Sequence, residues 1–202
     1  MAVERDSAEI IHGFPPIIGE RPRVLILGSM PSVKSLELGQ YYGHPQNHFW
    51  KIMAELLGRP MPESYEERTA MLRDAGIAVW DVFDSCHREG SLDQSIREAK
   101  PNDVPGLLRE YPSIRLVVFN GRKAEQGFYR GVKELYGQAV NIADFSELTK
   151  LLKLAELEEL RELEFVRLPS SSPIPTRRHK RWQDKLVEWR IILKYLNGEK
   201  ES

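Results

Sequence analysis

The chain has 202 residues, 41% of them hydrophobic and 29% charged, and a formal net charge of −1. That length carries one domain with a sizeable core, and the absence of a whole-molecule basic field means that any surface for nucleic acid must be local. The single cysteine, Cys86, excludes an intramolecular disulfide and a four-cysteine iron–sulfur cluster; it reads as a buried small hydrophobe. With no apolar run long enough for a bilayer and no charged-then-apolar leader, the sequence predicts no membrane association, and a cytosolic protein, or a nuclear one in a nucleated cell.

Residues 1–20 read as an arm ending in a packed loop, because Ile10, Ile11, Phe14, Ile17 and Ile18 are too apolar for free solvent. Arg23–Leu27 is a buried strand that stops at the small-residue cluster Gly28–Ser32. The polar and aromatic stretch Gln40–Trp50 follows, and so many aromatics mark a packed surface or a pocket. A helix starts at Asn47 or His48 and runs to about Leu57, with Phe49, Ile52, Met53, Leu56 and Leu57 on one face. Ser64–Asp74 is a second helix and Ile77–Phe83 a second strand. Asp84–Asn102 reads mostly as loop, with a short helix around Leu92–Ala99. Asn102 caps a helix over Asp103–Glu110, and Ile114–Phe119 is a third strand ending in Asn120-Gly121. Arg122–Tyr136 and residues 145–162 are helical, Glu164–Leu168 is the last strand, and an amphipathic helix runs from Thr176 or Arg177 to about Leu196.

Short apolar strands that alternate with helices predict an α/β fold: a three-layer α/β/α sandwich on a mostly parallel four-stranded sheet, with 1–202 as one domain. Ligands of such sheets sit at the carboxyl ends of the strands. Gly28–Ser32, Asp81–Cys86, Asn120-Gly121 and Pro169–Ile174 are the strand exits and should converge.

These exits carry the motifs GSMPS, WDVFDSC, VVFNG and LPSSSPIPTRRHKRW, and QYYGHPQNHFW and GSLDQSI lie between them. In chain order the set resembles the uracil-DNA glycosylase superfamily, in particular its hypoxanthine-DNA glycosylase branch, over nearly the whole chain. The resemblance implies a monofunctional DNA glycosylase for deaminated bases. It acts on DNA carrying hypoxanthine or uracil, needs no cofactor and works as a monomer. Such an enzyme cleaves the bond between C1′ and the base, so it needs donors for the departing base, a positioned water and a pocket for a flipped nucleotide.

The resemblance places Asn47 as the residue that orients the water; a carboxamide takes no proton at neutral pH. On the residues alone Asn47 fits a helix cap equally well. Ser29 stands with it as a catalytic candidate, in a family motif where relatives have Asp. Phe49 matches an aromatic that stacks on the base, with core packing as the other reading, and Tyr42, Met30 and Pro31 are further base contacts. Asn120 matches an Asn that reads the base edge. Its amide complements the C=O and adjacent N–H of uracil and hypoxanthine and mismatches cytosine and adenine; a plain Asn-Gly turn is the alternative. Ser170, Ser171, Ser172, Pro173 and Ile174 match a loop that presses on the minor groove, with Ile174 as the apolar wedge and Ser170 where many relatives have His. Arg177, Arg178, Lys180 and Arg181 form the densest basic run and suit phosphates, or are a solvated turn. Asp81, Asp84 and His87 lack metal-site spacing, and no metal is expected. Hydrolysis of a free nucleotide or other small phosphorylated substrate, or damage recognition without catalysis, are the competing functions.

Overall fold

The computed structural model describes residues 10–88, 96–136 and 163–196. The central sheet has four strands: β2 (Val24–Gly28), β3 (Ile77–Asp81), β6 (Leu116–Asn120) and β7 (Glu164–Leu168). Their order is β3-β2-β6-β7 and every pairing is parallel. Parallel strands must be buried on both faces, and β2 accordingly has all five residues buried. Val24 and Ile26 point to one face, packing with Ile52, Met53, Leu72, Leu186 and Trp189 from α2 (Phe49–Leu56), α3 (Tyr65–Asp74) and α6 (Trp182–Trp189). Leu25 and Leu27 point to the other, against Val104, Leu108, Phe128 and Val132 of α4 (Val104–Glu110) and α5 (Arg122–Tyr136). The result is the expected three-layer sandwich.

The chain runs from β2 outward to β3, then returns to lay β6 on the opposite side of β2. Connections therefore leave the carboxyl ends of β2 and β6 in opposite directions and open a crevice between them, the position where α/β sheets hold ligands.

Several elements differ from the expectation. A second sheet, antiparallel and ordered β1-β4-β5, joins β1 (Ile10–His12), β4 (Phe83–His87) and β5 (Arg97–Pro101). The predicted strand Ile77–Phe83 thus ends at Asp81, and Phe83 pairs with Pro101 in the other sheet. Arg97–Ala99 is strand rather than helix, because its partner is β4; Leu92 and the rest of the predicted helix start, most of GSLDQSI and residues 145–162 lie outside the described residues. A short helix α1 (Val33–Leu38) follows the first loop, capped by Ser32, whose Oγ accepts from Ser35 N–H at 3.2 Å. Asp103, not Asn102, caps α4: its Oδ1 accepts from Gly106 N–H at 2.9 Å, while Asn102 Nδ2 donates to the Asp81 carbonyl at 2.9 Å.

The last predicted helix is split and shorter. It begins at Trp182, breaks after Trp189 and resumes as α7 (Ile192–Leu196). The basic run before it is a turn. Asp184 takes the N–H groups of Lys180 and Arg181 at 3.0 and 2.9 Å, and Thr176 N–H closes on the His179 carbonyl at 2.9 Å. A carboxylate in the first helical turn favours starting the helix there, and the bonds it takes hold the Asp184 carboxyl below its usual range.

Candidate base-binding crevice

The floor of the crevice is the end of β2. Gly28 is buried against Asp81, the last residue of β3; a Cβ on Gly28 would collide with Asp81 Oδ1 and stand 3.2 Å from Tyr42 Oη. Only a glycine leaves room for this approach. Asp81 is 3% exposed, and its charge adds to burial in pushing the Tyr41 hydroxyl far up. Ser29 is half-buried beside it, and its carbonyl accepts from Phe83 N–H at 3.3 Å. Met30 and Pro31 turn inward: Met30 joins the α4/α5 side of the core, and the Pro31 carbonyl takes a hydrogen bond from Arg88 Nη2. Buried Arg88 thereby ties β4 to this loop, a role no local motif signals.

The aromatic wall comes from the loop between α1 and α2. The buried Ser35 hydroxyl accepts from Gly43 N–H at 3.0 Å and pulls that loop onto α1. Tyr42 has a φ of 53°, a left-handed conformation that costs a bulky residue about 1–2 kcal/mol. A ring stack and a hydrogen bond are among the contacts that hold it there. Its ring stacks on Phe49 at 3.9 Å between centroids and 20° between planes, and its hydroxyl accepts from Asn120 Nδ2 at 3.0 Å. Phe49 is itself 0% exposed, enclosed by Tyr42, Trp50 and Trp189. The ring bordering the crevice is Tyr42's, and Phe49 supports it from below.

Asn47 Oδ1 accepts from Phe49 N–H at 2.9 Å, so its side chain covers a backbone donor at the start of α2. A carboxamide oxygen has a second lone pair. Next to it, His48 sends its backbone N–H to the Ser171 carbonyl at 2.9 Å, and its Nδ1 lies 3.3 Å from Lys185 Nζ. Burial first, then the Lys185 and Lys51 charges, hold the His48 imidazole below its ordinary pKa.

Asn120 joins the two sides. Its Nδ2 donates to Tyr42 Oη and, at 2.9 Å, to Ser171 Oγ; its Oδ1 accepts from Ser171 N–H at 2.7 Å. Gly121 follows, where a Cβ would stand 3.0 Å from Ser170 Cβ, so β6 and the loop after β7 meet closely. In that loop Ser171 is 1% exposed and faces inward, unlike its predicted companions. Ser170 is exposed, Ser172 and Pro173 are half-buried, and Ile174 is 60% exposed. Arg177, Arg178, Lys180 and Arg181 are exposed on the turn beyond it; Arg181 Nη2 lies 3.6 Å from Asp184.

The strand exits therefore meet as expected, Asp81 among them, with Lys185 added. Lys185 was legible in part: it falls on the apolar stripe of α6 between Trp182, Leu186 and Trp189, where a charge is out of place. Asp84 is exposed and His87 pairs with Glu98 at 3.6 Å, so the acidic residues near β3 diverge; no group of three metal-ligating side chains occurs among the described residues. No described helix is long and apolar enough to cross a membrane.

Comparison with known proteins bears on this arrangement. The family model of the uracil DNA glycosylase superfamily matches residues 15–196. A protein of Methanosarcina acetivorans named hypoxanthine DNA glycosylase is 42% identical over 116 residues, 57% of this chain and 73% of the relative. Its namesake in Methanosarcina barkeri is 37% identical over 131 residues, 64% of this chain and 82% of the relative. A solution NMR structure from Methanosarcina acetivorans, assigned to the uracil DNA glycosylases, superposes with a TM-score of 0.68 at 33% identity, covering 94% of this chain and all of the other. The chain belongs to the uracil DNA glycosylase superfamily.

Proposed function

We propose that the protein is a monofunctional DNA glycosylase that flips a deaminated base, hypoxanthine or uracil, out of DNA and releases it by hydrolysis, leaving an abasic site. The observation that carries this reading is the position of Asn120, at the crevice between β2 and β6, within hydrogen-bond reach of both Tyr42 and the loop after β7. A base seated there stacks on the Tyr42 ring, worth about 1–3 kcal/mol. Its carbonyl oxygen competes with Tyr42 Oη for an Asn120 N–H, and its ring N–H uses the second lone pair of Oδ1. Cytosine and adenine offer a donor where Asn120 also donates, and are rejected.

Asn47 orients the attacking water with the lone pair left after its bond to Phe49 N–H, and the backbone of Gly28–Ser32 faces the departing base. Ile174 fills the space the base vacates, and the exposed cations beyond it hold phosphates. A small phosphorylated substrate has no use for an exposed apolar residue flanked by such a run. Single-turnover release assays on oligonucleotides carrying one hypoxanthine, uracil or xanthine test the reading. Free base and an alkali-labile, otherwise intact strand are expected; binding without release leaves a damage-recognition module.

A further inference from the structure

Lys185 is 2% exposed on the inner face of α6. Burying an ammonium costs several kcal/mol unless its donors are used, and burial lowers its pKa. Among the described residues it has no carboxylate partner; Nζ instead donates to the Ser172 carbonyl at 2.6 Å and lies against His48 Nδ1. An apolar chain would fill the same volume at less cost, so stability does not account for the lysine. Position does. The loop after β7 is anchored at Pro169, Ser171 and Ser172: Trp189 Nε1 donates to the Pro169 carbonyl at 3.0 Å, Asn120 and His48 hold Ser171, and Lys185 holds Ser172. After Ser172 the next bond along the loop is local, Ile174 N–H to Ser172 Oγ at 3.4 Å. Lys185 is thus the last tertiary anchor before the exposed Ile174 among the described residues.

We propose that Lys185 is a positioning residue, which fixes the backbone at Ser172 so that Ile174 enters the duplex as the base leaves. The inference rests on the base-flipping reading above. Its consequence is a selective one: Lys185 matters when a base must be drawn from a paired duplex, and little when the target strand is already single.

The test compares single-turnover release from duplex and single-stranded oligonucleotides for wild type, Lys185→Met, Ile174→Ala and the double variant. Lys185→Met should lower the duplex-to-single-strand rate ratio by about tenfold, together with the fluorescence rise of a 2-aminopurine placed beside the target base. Ile174→Ala should lower the ratio similarly, and the double variant should lose no more than the larger single loss, because both act on one step. Parallel falls on both substrates, or additive losses, overturn the proposal. Lys185→Gln, one atom shorter and uncharged, carries the test if Lys185→Met does not fold: its ratio should fall about threefold, and an unchanged ratio is decisive against. Wild-type protein that releases no base from either substrate refutes the glycosylase reading itself, a separate outcome.

Discussion

The Asn120 carboxamide has its three bonds to Tyr42 and Ser171 already made before any base arrives. Substitution can separate the proposed reading of the base from the anchoring of the loop. In Asn120→Asp, the Ser171 N–H keeps its acceptor, and the Ser171 hydroxyl, which accepts from Asn120 Nδ2 in the wild type, turns to donate to the carboxylate, so the loop stays held. The carboxylate has no donor for the base oxygen and repels it. Release of hypoxanthine and uracil should fall by about 100-fold or more, with melting temperature and duplex binding little changed. If the variant processes both bases at wild-type rates, Asn120 is a staple for the loop and reads nothing. Asn47 likewise has an observed cap on Phe49 N–H and a proposed role in catalysis. Asn47→Ala should remove about 0.5–2 kcal/mol of stability with the cap on Phe49 N–H, and slow base release by about 10–1,000-fold. Denaturant unfolding and single-turnover kinetics measure the two separately; a stability loss with unchanged rate would confine Asn47 to the helix.

At the scale of elements, β2 and β3 end in register, Gly28 opposite Asp81, and the loop of Tyr42 closes over that pair. Gly28→Ala puts a methyl against the Asp81 carboxylate and within 3.2 Å of the Tyr42 hydroxyl. Overpacking of this kind costs about 1–3 kcal/mol. The Tyr42 ring must shift to relieve it, so base release should drop at least about tenfold at temperatures where the variant is folded. Wild-type kinetics in a destabilised Gly28→Ala would show that the crevice does not depend on the Tyr42 position. The elements that periodicity identified are those of the main sheet and its helices, where β2, β3 and β6 are short, mostly apolar runs. β4 was missed for a physical reason. Its sequence, Phe83-Asp84-Ser85-Cys86-His87, carries no strong alternation, and its partners are β1, far away in the chain, and β5. α1 was legible in Ser32, three residues before Ser35, and in Gly39 at its end, but the Gly/Ser/Pro cluster before it reads as loop.

For the molecule as a whole, a net charge of −1 gives no long-range attraction to a polyanion. In the proposed reading, binding comes from the turn after Ile174, where Arg177, Arg178 and Lys180 are exposed. Replacing Arg177 and Arg178 with Ala should weaken binding to every DNA sequence alike and flatten the logarithmic salt dependence by about one unit for each phosphate left without its cation. A salt slope equal to that of wild type would place the DNA on another face.

Strand-by-strand apolarity was enough to determine the three-layer α/β/α architecture, and the resemblance of the ordered motifs the superfamily, because parallel strands, their exits and the loops that follow them are local features of the chain. Which residues touch was decided only by the tertiary structure. Phe49 fits a stacking platform and a core residue equally well until Tyr42 lies over it, and Ser171 is indistinguishable from Ser170 and Ser172 until Asn120 and His48 turn it inward. Lys185, 137 positions from His48, acquires its place in the site only when α6 packs on α2, since a contact between distant segments leaves no pattern in either segment alone.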